Sequence, residues 1–345
     1  RLAGHDCKNV CIYKESNMKE QYDAVIVGAG PAGLLAAKAL GENGFDVAVL
    51  ERKQDPASVA RACGQSLLPP NEYFFGDIFH YNEKNRTFCF PLNGLSFPYT
   101  GAVKPLYTWH MYSPAMKRMQ FGFGPEQGAP IALSYDKETM LRCLISDLPR
   151  DRVTIFPGAE YGGMQPGPGA VMVQAGEQQF AGSCVIAADG ANSRVVQHLG
   201  YNTNRRHIAT LYVASCFLSG FEPPHPESII TAVTFLGDKP VYLFLLPRPE
   251  GPEWNCILLT LEPSVNLADA YHAIVRDPRY APWFAGARRT REFAATEYIY
   301  SPILRPFRNN ALVVGDAAAC QELECLGAMI TGWKGGLAIA AALKE

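Results

Sequence analysis

Residues 22–53 constrain the fold more tightly than any other stretch of the chain. Ala24–Val27 is a continuous apolar run of strand length, the pattern of a parallel strand buried on both faces. Gly28-x-Gly30-x-x-Gly33 follows at once. Leu34, Leu35, Ala37, Ala39 and Leu40 continue on a helical period, which Gly41 and Gly44 close. Val47, Val49 and Leu50 then predict a second strand ending in Glu51. Gly28 permits a tight turn, Gly30 lets a pyrophosphate approach the helix N-terminus, and Gly33 lets the helix lie close to the strand. Glu51 stands 23 residues beyond Gly28, near the ~20 at which a carboxylate meets an adenosine ribose. Strand, glycines, helix, strand and acid in that order predict a dinucleotide-binding βαβ unit, without saying which dinucleotide.

The 345 residues suffice for one large or two ordinary domains, and 48% hydrophobic against 19% charged residues gives the chain a core to bury. Lys and Arg number 31 against 33 Asp and Glu, a near-balance that argues against nucleic acid as a partner, since phosphate binding needs a basic surface. No Lys/Arg cluster flanks an amphipathic stretch, which argues against strong attraction to anionic lipid. The longest apolar runs, Val241–Leu246 and Leu337–Leu343, fall far short of the ~20 residues of a membrane span. Residues 1–20 lack the apolar centre of a secretory signal and read as an N-terminal extension. Ten cysteines are scattered without a CxxC pair, Cys7-x-x-x-Cys11 has no neighbouring partner, and the histidines show no paired spacing. No metal site is expected from this pattern, and a reducing, cytoplasmic setting is.

Two later motifs extend the reading. Val185–Ala188 is a buried-strand run entering Asp189-Gly190, and Ala311–Val314 is another entering Gly315-Asp316, with a helical pattern from Gly327 to Leu343 beyond it. The GxGxxG, the Asp-Gly turn and the late Gly-Asp, in this order across residues 20–343, resemble the FAD-dependent oxidoreductases of the aromatic hydroxylase fold. The resemblance implies an α/β fold: a Rossmann-like FAD-binding domain carrying the GxGxxG, DG and GD motifs, with an inserted antiparallel-sheet substrate domain. It implies FAD contacts at Gly28, Gly30, Pro31, Ala32, Gly33, Glu51 and Arg52, then at Cys63, Gly64 and Lys137. It also implies Gly315, Asp316 on the ribityl hydroxyls, and Gly327 and Ala328, whose helix would turn its N-terminus toward the flavin ring. Asp189 would support the site structurally.

Among the branches of that fold, hydroxylases usually place a His and then a Pro- and Gly-rich loop after Gly-Asp-Ala-Ala, and this chain has neither. Nor do its four Trp form the Trp-x-Trp-x-Ile-Pro of flavin halogenases. Arg61-Ala-Cys63-Gly64-Gln65, Val241-Tyr242-Leu-Phe244-Leu-Leu-Pro247, and Asp277-Pro278 through Ala285-Gly286-Ala287 resemble the geranylgeranyl reductase family, which saturates C=C bonds of isoprenoid chains. Lys137-x-x-Met140-Leu141-x-x-Leu144 stands where that family usually has Arg-x-x-Phe-Asp-x-x-Leu; Glu322, Glu324, Cys320 and Cys325 stand where many members have Pro and Gly. The resemblance implies hydride transfer from reduced flavin to an isoprenoid or other apolar substrate. A flavin monooxygenase or halogenase-like enzyme and a non-catalytic FAD-binding interaction protein remain the alternatives. Cys63 and Cys320 are the candidate catalytic residues, as thiols beside the flavin or else as buried structural thiols; Cys325 is the other candidate partner of Cys63. Tyr242, Phe244 and Trp254 are candidate substrate contacts, or else ordinary sheet core. No second GxGxxG marks a nicotinamide site, so NAD(P)H and a reduced protein carrier both stay open as donors. A lipid substrate leaves peripheral membrane contact open as well.

The expected domains follow. Residues 21–70, 130–200 and 295–345 form a discontinuous FAD-binding domain, and 201–294 alternate as an antiparallel sheet that floors the site. Residues 71–129 are an aromatic-rich insertion, expected either as a pocket wall or lid or as a subdomain with its own core. Members of the resembled family usually continue past the closing helix, which implies a C-terminal portion that is absent or unusually short here.

Overall fold

The computed structural model describes residues 19–67, 73–167, 169–319 and 324–345. The predicted opening unit is present as the strand Tyr22–Val27, the helix Pro31–Glu42 and the strand Val47–Glu51. Ala24 and Ile26 join one buried cluster while Val25 and Val27 join another, so from Ala24 on alternate side chains of this strand serve the cores on its two faces.

The strands Val153–Pro157, Val47–Glu51, Tyr22–Val27, Gln178–Ala187 and Ala311–Val313 run parallel in that order. The first half of Gln178–Ala187 continues outward through an antiparallel pair, Ala170–Ala175 and Tyr161–Gly167. Gly28, Asp189 and Gly315-Asp316 follow the ends of three parallel strands at one edge, where open α/β sheets place their ligands.

The C-terminal helix, Glu324–Ala342, packs along the opening helix. A methyl group added to Gly332 would stand 2.1 Å from the Ala32 carbonyl oxygen, and one on Gly336 would stand 2.6 Å from that of Ala36. The two helices approach this closely because glycine lines one face and alanine the other. By length and composition Cys325–Ala342 suffices to cross a membrane, a property hidden from the run count by Gly327, Gly332, Gly335 and Gly336. Here Leu326, Met329, Ile330 and Trp333 are buried in the core beside the opening helix. The helix starts at Glu324, three residues ahead of the expected start at Gly327.

A second sheet has the order Arg118–Phe121, Trp109–Tyr112, Ile229–Leu236, Lys239–Pro247, Trp254–Thr260, His207–Ser219, Arg288–Tyr300. Leu243, Trp254, Cys256 and Leu258 pack its outer face under the helices Leu267–Arg276 and Ala281–Phe284. Leu246, Ile257 and Phe244 on the inner face meet Leu106 and Ala132 of the neighbouring three-stranded sheet. The limits expected from sequence shift at both ends. Trp109–Phe121 leaves the aromatic insertion to extend this sheet through a parallel pairing with Ile229–Ala232, and the last strand runs on to Tyr300. Such pairings join residues far apart in the sequence and leave no local signature.

The rest of the insertion is core. Phe79, Phe88, Phe90, Phe97 and Tyr99 are fully buried, Phe88 stacks on Tyr99 at 4.4 Å, and the group joins Tyr135, Met140 and Leu144 in one cluster with the FAD domain. Its exposed large apolar residues include Tyr73 and Phe75 at one margin, Phe121 and Phe123 at the other, and Leu92 within it. Gly332→Ala is expected to lower the unfolding free energy by about 1–3 kcal/mol through overpacking. Gly124→Ala, with open space around its Cα, should change it by less than about 0.5 kcal/mol. Denaturant melts of the two variants measure the difference.

Candidate active site

The glycine turn is built as its spacing predicts. Gly28 lies at φ +104°, where a Cβ would strike the Ala188 carbonyl oxygen at 2.4 Å, and a Cβ on Gly33 would meet the Gly28 oxygen at 1.9 Å. Nothing lies within 4 Å of a Cβ on Gly30. Gly30 is the N-cap of the opening helix, Pro31 and Ala32 begin its first turn, and no side chain caps it. The first turn therefore has no side-chain acceptor for its N–H groups, which carry the positive end of the helix dipole.

Glu51 is buried, and its carboxylate braces this turn: Oε2 accepts the Ala29 N–H at 2.9 Å and Oε1 that of Lys53 at 2.9 Å. Each oxygen keeps a further lone pair, which a ribose hydroxyl can use. Arg52 beside it is exposed. Asp189 Oδ1 accepts from Ser193 Oγ at 2.5 Å and Oδ2 from the Arg194 N–H at 2.8 Å, so this carboxylate fixes the start of the helix Arg194–His198, in keeping with a structural role. Asn192 in the same loop donates to the Thr296 carbonyl at 2.7 Å and accepts the Tyr298 N–H at 3.0 Å, tying it to the second sheet.

At Gly315, φ is +62°, and its N–H donates to Thr331 Oγ1 at 3.2 Å, while that hydroxyl donates to the Gly327 carbonyl at 2.6 Å. Thr331 thus links the Gly-Asp turn to the first turn of the closing helix, where Gly327 and Ala328 are buried. Asp316 Oδ1 is shielded from solvent and has no hydrogen-bond partner among the described residues. Burial pushes this carboxyl above its usual range, with Lys137 and Arg61 pulling the other way. An unpaired acceptor of this kind is costly until a donor reaches it.

The residues expected around the flavin come together across three segments. Lys137 opens the helix Lys137–Ser146 and brings Nζ to 3.5 Å from Cys63 Sγ. The Cys63 sulfur, then Cys325 and Asp316, hold this ammonium above its ordinary value against the opposing cost of burial. Cys325 lies in the first turn of the closing helix and accepts the Tyr135 hydroxyl proton at 3.2 Å; burial pushes its thiol up to about 11, so it is neutral near pH 7. Cys320 lies outside the described residues. Gly64, next to Cys63, accepts Asn255 Nδ2–H on its carbonyl oxygen at 3.2 Å.

The inner face of the second sheet stands opposite. Tyr242 and Phe244 are half-buried on it, with Val213, Ile257 and Leu259 as cross-strand neighbours. Trp254 corrects the expected trio. Strand alternation turns it to the outer face, where it packs on Phe221 at 5.5 Å and helps line a cleft of about 670 Å³ with Tyr107 and Pro252.

Four residues escaped the sequence reading: Tyr135, Arg248, Asn255 and Thr331, while Gln65 entered it only as the end of the Arg61–Gln65 segment. Each acts through a contact between distant segments.

The comparisons agree with this geometry. A family model described as an FAD binding domain matches residues 21–67. The digeranylgeranylglycerophospholipid reductase of Methanosarcina acetivorans is 24% identical over 244 residues, 68% of this chain and 53% of that one. Reductase 2 of the same name from Methanopyrus kandleri is 26% identical over 307 residues, 86% of this chain and 70% of that one. The chain spans about half the length of the first of these relatives. Among solved structures, a geranylgeranyl bacteriochlorophyll reductase-like protein from Thermoplasma acidophilum superposes with a TM-score of 0.72 at 14% identity, covering 95% of this chain and 80% of that one. The halogenase PltM, in complex with FAD, superposes at 0.66 with 13% identity, covering 94% and 69%.

The chain has the FAD-dependent, geranylgeranyl reductase-like fold, and FAD is its cofactor. Its residues fit that group. The uncapped helix suits a diphosphate, Glu51 has lone pairs for a ribose hydroxyl, and Asp316 Oδ1 lacks the donor that a ribityl hydroxyl supplies. Asp316→Ala should weaken FAD binding roughly 10- to 100-fold, the worth of a hydrogen bond to a charged group. Fluorescence titration of the apoprotein reads it, and an unchanged Kd would remove Asp316 from the site.

Asp136 supplies a pH test. It caps the Lys137 helix, accepting the Thr139 N–H at 2.8 Å, and pairs with Arg248 Nη2 at 2.7 Å. Burial raises its carboxyl, but Thr139 and Arg248 outweigh that and hold it below the usual range. A depressed carboxyl stabilises the fold above its unfolded value of about 3.9 and loses that contribution as pH falls through the folded value. The stability gap between wild type and Asp136→Asn should be open at pH 7 and close below about pH 4 in urea melts.

Proposed function

We propose that this protein is an FAD-dependent oxidoreductase that reduces C=C bonds of an isoprenoid chain, of the kind carried by digeranylgeranylglycerophospholipids. The observation that carries the reading is the Lys137–Cys63 contact at the parallel edge, facing an apolar sheet floor. FAD, when bound and reduced, supplies a hydride to one carbon of the double bond. The chain's part is position, dryness and a proton. Tyr242, Phe244 and their neighbours offer an apolar surface along which an extended chain can lie, excluding water as it settles. Cys63 Sγ and Lys137 Nζ, 3.5 Å apart, are the groups placed to supply a proton to the second carbon. The matched reductases, named for a phospholipid, support the substrate class.

The same reading places the protein in a reducing cytoplasm at a lipid surface. Met119 and Phe121 are exposed on the edge strand of the floor, with Phe123 exposed just beyond it, where an apolar chain leaving a membrane would arrive.

The test is anaerobic reduction of the holoprotein with dithionite, followed by reoxidation with digeranylgeranylglycerophospholipid in detergent. The expected outcome is reoxidation with saturated product, slowed about 100- to 10,000-fold by Cys63→Ala and by Lys137→Met with little change in KM, the range of a lost proton donor. Reoxidation by oxygen alone with a hydroxylated or halogenated product would replace this reading with a monooxygenase or halogenase. A flavin that no donor reduces would leave a binding protein.

A further inference from the structure

We propose that Asn255 and Arg248, both from the second sheet, are positioning residues that hold the loop at Cys63–Gln65 so that Cys63 Sγ meets Lys137 Nζ. The inference deepens the proposed function and rests on its thiol–ammonium pair.

The loop does not hold this shape alone. It precedes a strand of two residues, Ser66–Leu67, and Gln65 sits buried at φ +53°. That left-handed region disfavours a side chain such as glutamine, and it persists where surrounding contacts over-determine it. The contacts are present on three sides. Asn255, 2% exposed, donates through Nδ2 to the Cys63 carbonyl at 2.8 Å and the Gly64 carbonyl at 3.2 Å. Gln65 accepts the Tyr135 N–H on its carbonyl at 3.1 Å and the Lys137 N–H on Oε1 at 3.0 Å. Arg248 Nη1 reaches the same Oε1 at 3.4 Å, its Nη2 holds Asp136 at 2.7 Å, and its guanidinium lies 3.9 Å over the Phe217 ring.

The two sheet residues therefore grip both partners of one contact. Asn255 fixes the backbone that carries the thiol, and Arg248 fixes the cap directly ahead of the residue that carries the ammonium. Asn255 is the second residue of the strand that follows the turn after Pro247, and Arg248 opens that turn, so a single hairpin sets both. Neither residue touches the reacting atoms, and each acts through another.

The test is a double-mutant cycle on the holoprotein without substrate, so its outcome does not depend on whether the substrate class is right. Iodoacetamide labelling of Cys63 at pH 7 is followed by peptide-resolved mass spectrometry in wild type, Lys137→Met, Asn255→Ala and the double variant. Lys137 Nζ lies 3.5 Å from Cys63 Sγ, so its charge bears on the sulfur's attack on the reagent, and Lys137→Met should slow labelling about tenfold in the parent. In the Asn255→Ala background the same substitution should change the rate less than about twofold, because the two groups no longer meet. An equal factor in both backgrounds overturns the proposal, as does no effect of Lys137→Met in either. A merely structural Asn255 would lower the melting temperature and leave the coupling intact. Arg248→Met provides a second cycle with the same expectation and the same refuting result, and it serves if Asn255→Ala does not fold.

Discussion

The open N-terminus of the helix Pro31–Glu42 is the interaction round which the parallel edge is arranged. Three other helices in this protein have side-chain caps on first-turn N–H groups: Asp136 caps Lys137–Ser146, Ser193 caps Arg194–His198, and Asn266 caps Leu267–Arg276. The opening helix has Gly30 in that place and no acid in its first turn. A helix end of this kind carries about half a positive charge and several unsatisfied donors, and a diphosphate answers both. The surrounding packing keeps it open. Gly33 and Gly28 bring the helix onto the strand, Gly332 and Gly336 bring the closing helix onto the opening one, and Glu51 holds the turn from below through Ala29.

The charges further along the edge fit the same ligand. Lys137 presents an ammonium to a space bordered by Asp316, Cys63 and Cys325, while the Asp316 carboxyl is raised by burial and lacks a donor on Oδ1. Alone, that arrangement leaves one acceptor unsatisfied and a cation only partly balanced. Hydroxyls of a ribityl chain would complete the carboxyl's bonding, and a lysine beside the ring space favours negative charge there. Of the acidic residues after Gly315-Asp316, Glu322 lies outside the described residues and Glu324 is the first position of the closing helix.

Much of the fold was legible because its signals are local. The strand-glycine-helix order of residues 22–42, the Asp-Gly turn and the late Gly-Asp each need only a few adjacent residues to be recognised, and together they locate one edge of one sheet. Trp254 shows where such reasoning stops: alternation says that neighbours face opposite ways, but which face looks inward depends on what packs there, and here helices cover Trp254 while Tyr242 and Phe244 look toward the site. The aromatic insertion shows the same limit at a larger scale. Its rings were countable, yet the division between a core shared with Met140 and Leu144 and two strands added to a distant sheet follows from long-range pairing alone. Gln65 is the extreme case, since nothing in its identity announces a positive φ.

What the seam between the sheets adds is a reason for the chain to combine them. The nucleotide-binding edge supplies charge and glycine turns but little apolar surface for a long chain, and the second sheet supplies apolar surface but no helix N-terminus aimed at a phosphate. Chemistry between a flavin and an apolar double bond needs both within a few ångströms, dry and fixed. Ser134 Oγ donates to the Pro247 carbonyl at 2.7 Å, Arg61 pairs with Glu297 at 3.1 Å and Arg291 reaches the Val59 carbonyl at 3.0 Å, each joining the two bodies around the Cys63 loop. These polar ties lie partly shielded, where a bond lost on one side leaves a group unsatisfied on the other. Sliding of one sheet over the other would break several at once, so the relative placement of the thiol, the ammonium and the apolar floor belongs to the packed seam and not to either sheet.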